Sequence, residues 1–134
     1  MINSMQGGVS GHTALVVDDN PRIRQYIRSI LEGAGAQVLE AGDGLEALEV
    51  FNARCGGIDL VITDIRMPRM TGMDLAIALR SACPAIPVIL VSGEPAPVAS
   101  EYRKDGNVFI EKPFGPAELL AAARRFFDFL PVAS

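Results

Sequence analysis

The chain has 134 residues, of which 49% are hydrophobic and 21% are charged, and its formal net charge is −4 at pH 7. This composition is typical of one globular domain with a sizeable core, and it excludes a largely disordered chain. The negative charge argues against bulk attraction to nucleic acid or to an anionic membrane. The sequence contains no apolar run long enough to span a bilayer, no secretory leader and no zinc or haem spacing. We therefore expect a cytoplasmic protein with reduced thiols and no membrane contact.

Residues 1–12 carry Gly7-Gly8 and Ser10-Gly11 without hydrophobic periodicity. This pattern predicts a flexible N-terminal tail, with His12 as a solvated residue at its edge rather than a ligand. The residues that follow alternate between short apolar runs and amphipathic segments. Residues 13–131 are therefore interpreted as one folded domain.

The first strand is predicted at Thr13–Val17, a short apolar run. Asn20 then offers an N-cap, and Pro21 occupies the favoured first position of a helix. Apolar residues at intervals of three and four continue this helix until it stops near Gly33. Gln37–Ala41 is predicted as the second strand.

The second helix is predicted to open with Asp43 and Glu46, which form an acidic version of a capping box. Ile58–Thr63 is rich in β-branched residues and is predicted as the third strand. A loop follows, and Thr71 is expected to cap a third helix that ends before Pro84.

The fourth strand is predicted at Pro87–Val91. The segment 94–106 contains two prolines and supports only a short, weak helix. Val108–Ile110 is predicted as the fifth strand, and a final amphipathic helix opens at Pro116 and runs to Leu130. Short buried strands that alternate with amphipathic helices predict an α/β fold, a three-layer doubly wound domain around a five-stranded parallel sheet.

Polar side chains follow four of the five predicted strands. Asp18 and Asp19 come after the first strand, Asp64 after the third, Ser92 after the fourth and Lys112 after the fifth. Because ligands of open α/β sheets bind beyond the carboxyl ends of the strands, we expect these side chains to share one edge.

Crowded carboxylates at this edge need a compensating charge, because two of them about 5 Å apart repel by about 3 kcal/mol at an effective dielectric constant of 20. Oxygen ligands of this kind suit Mg²⁺. A cation, a hydroxyl and an already ionised carboxylate together suit phosphoryl transfer to that carboxylate.

The sequence resembles the response-regulator receiver domain, the phosphoacceptor module of two-component signalling. The segments that carry the resemblance cover residues 13 to about 130, in the order and spacing of that family. They read LVVDDNPRIR, EAGDGLEALEVF, IDLVITDIRMPRMTGMDL, IPVILVSGE and NVFIEKPFGPAELL. The resemblance implies a flavodoxin-like sheet with strand order 2-1-3-4-5.

The resemblance also assigns roles to the residues at the strand ends. Asp64 is expected to be phosphorylated, and Asp18 and Asp19 are expected to bind Mg²⁺ (or Mn²⁺) together with Asp64 and the backbone carbonyl of Arg66. Ser92 takes the position of the switch hydroxyl of the family.

Lys112 takes the position of the family's phosphoryl-binding lysine, and the bond to Pro113 is expected to be cis. Phe109 occupies the position of the switch aromatic residue, which is often tyrosine. Arg66 and Glu94 are expected to flank the phosphoryl group from facing loops, where they form a hypothetical lid against water. The interval from Ser92 to Lys112 is about two residues shorter than usual.

The implied function is that of a receiver that accepts a phosphoryl group from phosphohistidine onto Asp64 and signals by conformational change. Its partners would be a histidine kinase or histidine phosphotransfer protein and a downstream protein target, without direct binding to nucleic acid. It would be a monomer or weak homodimer, either stand-alone or part of a longer protein. It would not be an enzyme beyond its own phosphoryl transfer and autodephosphorylation.

Two alternatives belong to other functional classes. A metal-dependent phosphatase of the haloacid dehalogenase type also forms an aspartyl phosphate, but it places two carboxylates two residues apart after its first strand. A phosphorylation-independent interaction module would keep only the fold. The retention of all the site residues favours the receiver.

Overall fold

The computed structural model describes residues 11–54, 56–93 and 107–127. Within these ranges, five strands and four helices follow one another as β1 (Thr13–Val17), α1 (Pro21–Gly33), β2 (Gln37–Ala41), α2 (Gly44–Arg54), β3 (Leu60–Asp64), α3 (Gly72–Ala82), β4 (Val88–Ser92), β5 (Asn107–Glu111) and α4 (Pro116–Phe127). All strand pairs are parallel, and their order in the sheet is β2-β1-β3-β4-β5. The predicted doubly wound α/β fold and its strand order are therefore confirmed.

The sheet separates two apolar clusters, one on each face. Successive residues of β1 point to opposite faces, so Val16 joins the cluster covered by α1 and α4, whereas Leu15 and Val17 join the cluster covered by α2 and α3. Every residue of β1, β3 and β4 is buried. Burial on both faces explains why these strands read as nearly continuous apolar runs.

The helix starts follow the predicted capping residues. The Asn20 side chain accepts a hydrogen bond from the backbone of Arg22 (2.9 Å) at the start of α1. Asp43 accepts one from the Glu46 backbone (2.8 Å) at the start of α2. The Glu46 carboxylate reaches back to the amide of Gly42 at 2.5 Å, one residue earlier than in a regular capping box.

The predicted bounds of β1 and β2 match the structure, whereas those of β3, β4 and β5 differ from it by one or two residues. β3 begins at Leu60 rather than at Ile58, because the side chain of Asp59 bonds the Thr13 amide (2.9 Å) just before the regular ladder starts. At their other ends β3 and β4 each extend one residue further than predicted. Asp64 and Ser92 are therefore the last residues of their strands rather than the residues after them.

His12, predicted to be solvated rather than a ligand, keeps 31% of its side chain exposed. His12 is half-buried, its carbonyl accepts a hydrogen bond from the Gln37 amide (2.9 Å), and its Nδ1 lies 3.5 Å from a carboxylate oxygen of Asp59. Gly11 likewise donates to the carbonyl of Gly35 at 3.1 Å. The backbone pairing between these two parts of the chain therefore begins before Thr13, the first residue of β1.

Three predicted segments lie outside the described residues: residues 1–10 of the predicted tail, the weak helix over 94–106, and the end of the last helix at Leu130. Within the described ranges, none of the helices has the length and apolar composition needed to cross a bilayer.

Gly72, the first residue of α3, allows that helix to begin against the end of β3. A Cβ atom at this position would lie 2.2 Å from the carbonyl oxygen of Asp64, whereas the Gly72 amide donates to the carbonyl of Ile65 at 2.9 Å. Any side chain here would force the backbone that carries Asp64 to move.

We therefore expect Gly72→Ala to lower the free energy of unfolding by about 1–3 kcal/mol, the usual cost of overpacking. Urea denaturation measures the change. Gly33→Ala is the matched control, because a Cβ atom there meets nothing within 4 Å and the residue ends a helix. The control should be neutral or slightly stabilising. Equal stability of the Gly72→Ala protein and the wild type would contradict the steric argument.

Candidate functional site

Four strands bring the predicted site residues to one edge of the sheet. Asp18 follows β1, Asp64 ends β3, Ser92 ends β4 and Lys112 follows β5. The ladder continues past the strands at this edge, since the Lys112 amide donates to the carbonyl of Ser92 at 2.7 Å. The juxtaposition predicted from the parallel topology is therefore present in the structure.

The three carboxylates form one cluster. Asp18, Asp19 and Asp64 each offer an oxygen atom, and these atoms all lie within 4.8 Å of one another. Asp18 is 1% exposed and Asp64 is 8% exposed, whereas Asp19 is open to solvent. Asp19 is therefore the member of the cluster most accessible to solvent.

Asp18 is the most constrained member of this cluster. Its Oδ1 accepts a hydrogen bond from the backbone of Asn20 at 2.8 Å. Its Oδ2 is buried and accepts no hydrogen bond from any residue that the structure describes. Burial raises the pKa of Asp18 above its ordinary value of 3.8, against the Asn20 bond, and the negative charge of Asp64 raises it further.

Lys112 supplies a positive charge beside the cluster. Its Nζ lies 3.6 Å from Oδ2 of Asp18 and 3.5 Å from Oδ2 of Asp64. Its bond to the exposed Pro113 is cis, as the resemblance implies. One ammonium thus contacts two carboxylates.

A cavity of about 300 Å³ opens beside Asp64 and Lys112. The other residues that line it are Ile65, Arg66, Ser92 and Gly93. Asp64, Ser92 and Lys112 therefore line one cavity large enough for a phosphoryl group. This combination can receive a phosphoryl group and bind its oxygens.

Three further predicted residues are Arg66, Phe109 and Glu94. Arg66 is exposed in the loop after β3. Phe109 is half-buried in β5 and packs against the cluster under α2 and α3. Glu94 lies outside the described residues, so the proposed contact between Arg66 and Glu94 stays a prediction.

Sequence reasoning missed two supporting residues on α1. Arg24 donates from Nη1 to the backbone carbonyl of Asp18 (2.6 Å) and from Nε to Glu40 (3.0 Å). The Tyr26 hydroxyl donates to the carbonyl of Phe114 at 2.9 Å. The amphipathic pattern of α1 could have predicted a role for Arg24, because it places Arg24 on the polar side of a helix that starts at the site. The partner of Tyr26 is 88 residues away in the sequence and gave no signal.

A third missed contact joins α2 to the loop after β3. Arg69 donates to the carboxylate of Asp43, and it adopts a positive φ of 71°, which is uncommon outside glycine. The bond from the Glu46 backbone and the Arg69 guanidinium lower the pKa of Asp43 below its ordinary value. The predicted role of Asp43 as a helix cap is thus combined with a contact to the loop that carries Arg66.

The donor set fits a hard divalent cation. The site offers only oxygen ligands, and Oδ2 of Asp18 is a buried acceptor without a hydrogen bond among the described residues. Mg²⁺ prefers carboxylate and carbonyl oxygens and retains several waters, so a site with one open side suits it. Its charge would offset the electrostatic cost of burying Asp18 beside Asp64.

A match over most of the sequence identifies the family of this chain. The model of the family described as response regulator receiver domain matches residues 14–124. The chain belongs to this family. Receiver domains are phosphoacceptor signalling modules of two-component response regulators and are generally not classical enzymes. Receiver domains interact with kinases and with other proteins.

Three similar proteins illustrate the match. The C4-dicarboxylate transport transcriptional regulatory protein DctD of Pseudomonas aeruginosa is 37% identical over 117 residues, which are 85% of this chain and 25% of that protein. A response regulator receiver domain from Clostridium thermocellum has a TM-score of 0.81 and 33% identity, covering 87% of this chain and 94% of that one. The CheX-CheY-BeF3-Mg²⁺ complex from Borrelia burgdorferi has a TM-score of 0.79 and 26% identity, covering 84% and 87%.

The receiver spans only a quarter of the length of DctD. The similarity therefore concerns the receiver part of that relative.

The raised pKa of Asp18 leads to a prediction about stability. Because the pKa of Asp18 is higher in the folded protein than in the unfolded chain, ionisation of Asp18 destabilises the fold. This destabilisation is absent below about pH 3.8 and develops as the pH rises through the folded pKa. Asp18→Asn should therefore raise the free energy of unfolding at pH 7 in EDTA, and the gain should shrink toward pH 4. Urea denaturation at several pH values measures it.

The control for this prediction is Asp74→Asn, which removes an exposed carboxylate from the first turn of α3. It should show no comparable gain at pH 7. A lower stability of Asp18→Asn than of the wild type in EDTA would contradict the assigned cost of burial.

Proposed function

We propose that the receiver accepts a phosphoryl group from a phosphohistidine donor onto Asp64 in a Mg²⁺-dependent reaction. One observation carries this proposal: the Asp64 carboxylate lines a cavity beside two further carboxylates and the Lys112 ammonium. Asp64 is the carboxylate that combines contact with Lys112 and access to the cavity. Asp18 is almost fully buried, and its Oδ1 is occupied by the Asn20 amide.

The reaction would be an in-line displacement at phosphorus. An oxygen of Asp64 forms a new P–O bond while the P–N bond to the donor imidazole breaks, and the imidazole nitrogen keeps the electron pair. Asp64 needs no general base, because a carboxylate is already ionised at neutral pH. The domain would thus catalyse its own phosphorylation, and water would later hydrolyse the acyl phosphate in autodephosphorylation.

The metal would be held by Asp18, Asp19, Asp64 and the backbone carbonyl of Arg66. Mg²⁺ (or Mn²⁺) would neutralise charge on the phosphoryl oxygens and offset the repulsion among the carboxylates. The carboxylate cluster and the buried acceptor on Asp18 support this ligand set. The Borrelia relative forms a complex with BeF3 and Mg²⁺, which supports metal binding by this receiver.

Lys112 and Ser92 would bind the other phosphoryl oxygens. Lys112 contacts Asp18 and Asp64, so a phosphoryl group on Asp64 would give its ammonium a more strongly charged partner. Ser92 lines the same cavity, and its hydroxyl would turn toward the phosphoryl group. Phe109, in the neighbouring strand, would move inward into the space that Ser92 vacates.

The partners would be a histidine kinase or histidine phosphotransfer protein and a downstream protein target. The net charge of −4 argues against direct binding to nucleic acid or to a membrane. We propose a cytoplasmic domain that is monomeric or weakly dimeric. CheX is such a protein partner of the Borrelia relative.

The proposal predicts that Asp64 is the only phosphorylated residue. Incubation with acetyl phosphate and Mg²⁺ should add one phosphoryl mass to the wild type, and Asp64→Ala should abolish the addition. EDTA or Asp19→Ala should also abolish it, because the metal would lose its ligands or be removed. Mass spectrometry of the intact protein measures the addition.

Asp74→Asn serves as the control and should be labelled like the wild type, because this exposed residue lies on α3 away from the cluster. Absence of labelling in the wild type would favour the phosphorylation-independent interaction module. Labelling that survives Asp64→Ala would contradict the assignment of the acceptor.

The Phe109 movement is a second prediction. Structures determined with and without beryllofluoride should differ in the Phe109 side-chain rotamer, with the ring turned inward in the beryllofluoride complex. In a Ser92→Ala protein, which lacks the hydroxyl, the ring should turn inward even without beryllofluoride, because the space it enters is already free. The same Phe109 rotamer in both wild-type structures would exclude an aromatic switch.

A further inference from the structure

Tyr26 links helix α1 to the segment that follows β5. Its hydroxyl donates to the carbonyl of Phe114 at 2.9 Å, and its ring lies 5.8 Å from the Phe114 ring at an interplanar angle of 50°. Phe114 is buried in the cluster under α1 and α4. Tyr26 thus contacts both the backbone and the side chain of one residue in this segment.

The segment from Lys112 to Gly115 joins β5 to α4 and carries the Lys112 ammonium to the acidic cluster. On the strand side it is held by the bond from the Lys112 amide to Ser92 (2.7 Å). On the helix side the Gly115 amide donates to Glu118 at 3.3 Å. The Tyr26 bond lies between these two attachments, two residues after Lys112.

The position of the Lys112 ammonium depends on this backbone. Its Nζ contacts Asp18 and Asp64 at 3.6 and 3.5 Å, distances longer than a good charge-assisted hydrogen bond. Contacts of this length do not by themselves fix the ammonium. The backbone from which the lysine side chain extends therefore decides how well the ammonium meets a group on Asp64.

We propose that Tyr26 is a positioning residue for Lys112. The bond from its hydroxyl to the Phe114 carbonyl holds the segment after β5 so that the ammonium lies between Asp18 and Asp64. Tyr26 itself touches no reacting atom in this role. The inference rests on the proposed function, because it concerns the lysine that would bind the phosphoryl group.

The substitution Tyr26→Phe tests this role, because it removes only the hydroxyl and keeps the ring against Phe114. Phosphorylation by acetyl phosphate with Mg²⁺ should slow by about twofold to tenfold, the range that the loss of one neutral hydrogen bond produces. A small donor requires no docked partner protein. A slower rate therefore reports on the site rather than on a contact between Tyr26 and a kinase.

A merely structural role is separated from positioning by two further measurements. The Mg²⁺ affinity, measured by calorimetry, should stay within about twofold, because the proposed metal ligands lie in the loop after β1, at the end of β3 and in the loop after β3. In a Lys112→Met protein, whose own rate is lower, Tyr26→Phe should change the rate by less than about twofold, because the residue it positions is gone.

Ser29→Ala is the matched control, since it removes an exposed hydroxyl from the same helix three residues further on. It should be phosphorylated at the wild-type rate. The carbonyl ¹³C shift of Phe114 should change in Tyr26→Phe and not in Ser29→Ala, which verifies the hydrogen bond directly.

Wild-type rates in Tyr26→Phe would overturn the inference and leave the proposed function intact, provided that the wild type is labelled on Asp64. An equal loss of rate in the Lys112→Met background would also overturn it, because Tyr26 would then act through something else. A wild type that is not labelled on Asp64 would remove the proposed function and this inference together.

Discussion

The site depends on the burial of one carboxylate beside another. Asp18 is 1% exposed, its Oδ2 accepts no hydrogen bond from the described residues, and Asp64 lies close enough to share the Lys112 ammonium. Water would otherwise screen the repulsion between the two charges, but burial removes that screening and raises the pKa of Asp18. The arrangement therefore favours any positive charge that enters the cluster. Lys112 supplies part of that charge, and a divalent cation would supply the remainder.

The fold makes this arrangement rigid. β1 and β3 are neighbours in the sheet and are buried on both faces, so the residues at their carboxyl ends cannot separate without disrupting the core. α3 begins directly against the Asp64 backbone, where Gly72 leaves no room for a side chain. Apolar packing in the two clusters that the sheet separates thus offsets the unfavourable electrostatic free energy of holding like charges together.

Helix α1 serves both the core and the site. Ile27 and Leu31 are buried against the sheet, whereas Arg24 bonds the Asp18 carbonyl and Tyr26 bonds the Phe114 carbonyl. Arg24 also pairs with Glu40 of β2. The hydrogen bond from Arg28 lowers the pKa of Glu40 below its ordinary value, which keeps that carboxylate charged. Apolar positions recur every three or four residues on the helix, so one face packs on the sheet while polar residues of the other contact the backbone after β1 and after β5.

The sequence by itself determined the strands, the helix starts and the gathering of Asp18, Asp64, Ser92 and Lys112, because parallel strands end at a common edge and capping residues act locally. It also identified the family, through motifs with fixed spacing. Only the tertiary structure decided that Asp18 is buried and Asp19 exposed, that His12 meets Asp59, and that Tyr26 bonds Phe114. The two contacts join residues that are distant in the chain, and the burial of Asp18 but not Asp19 distinguishes two adjacent residues of the same type. They depend on how helices pack against the sheet, which local patterns do not encode.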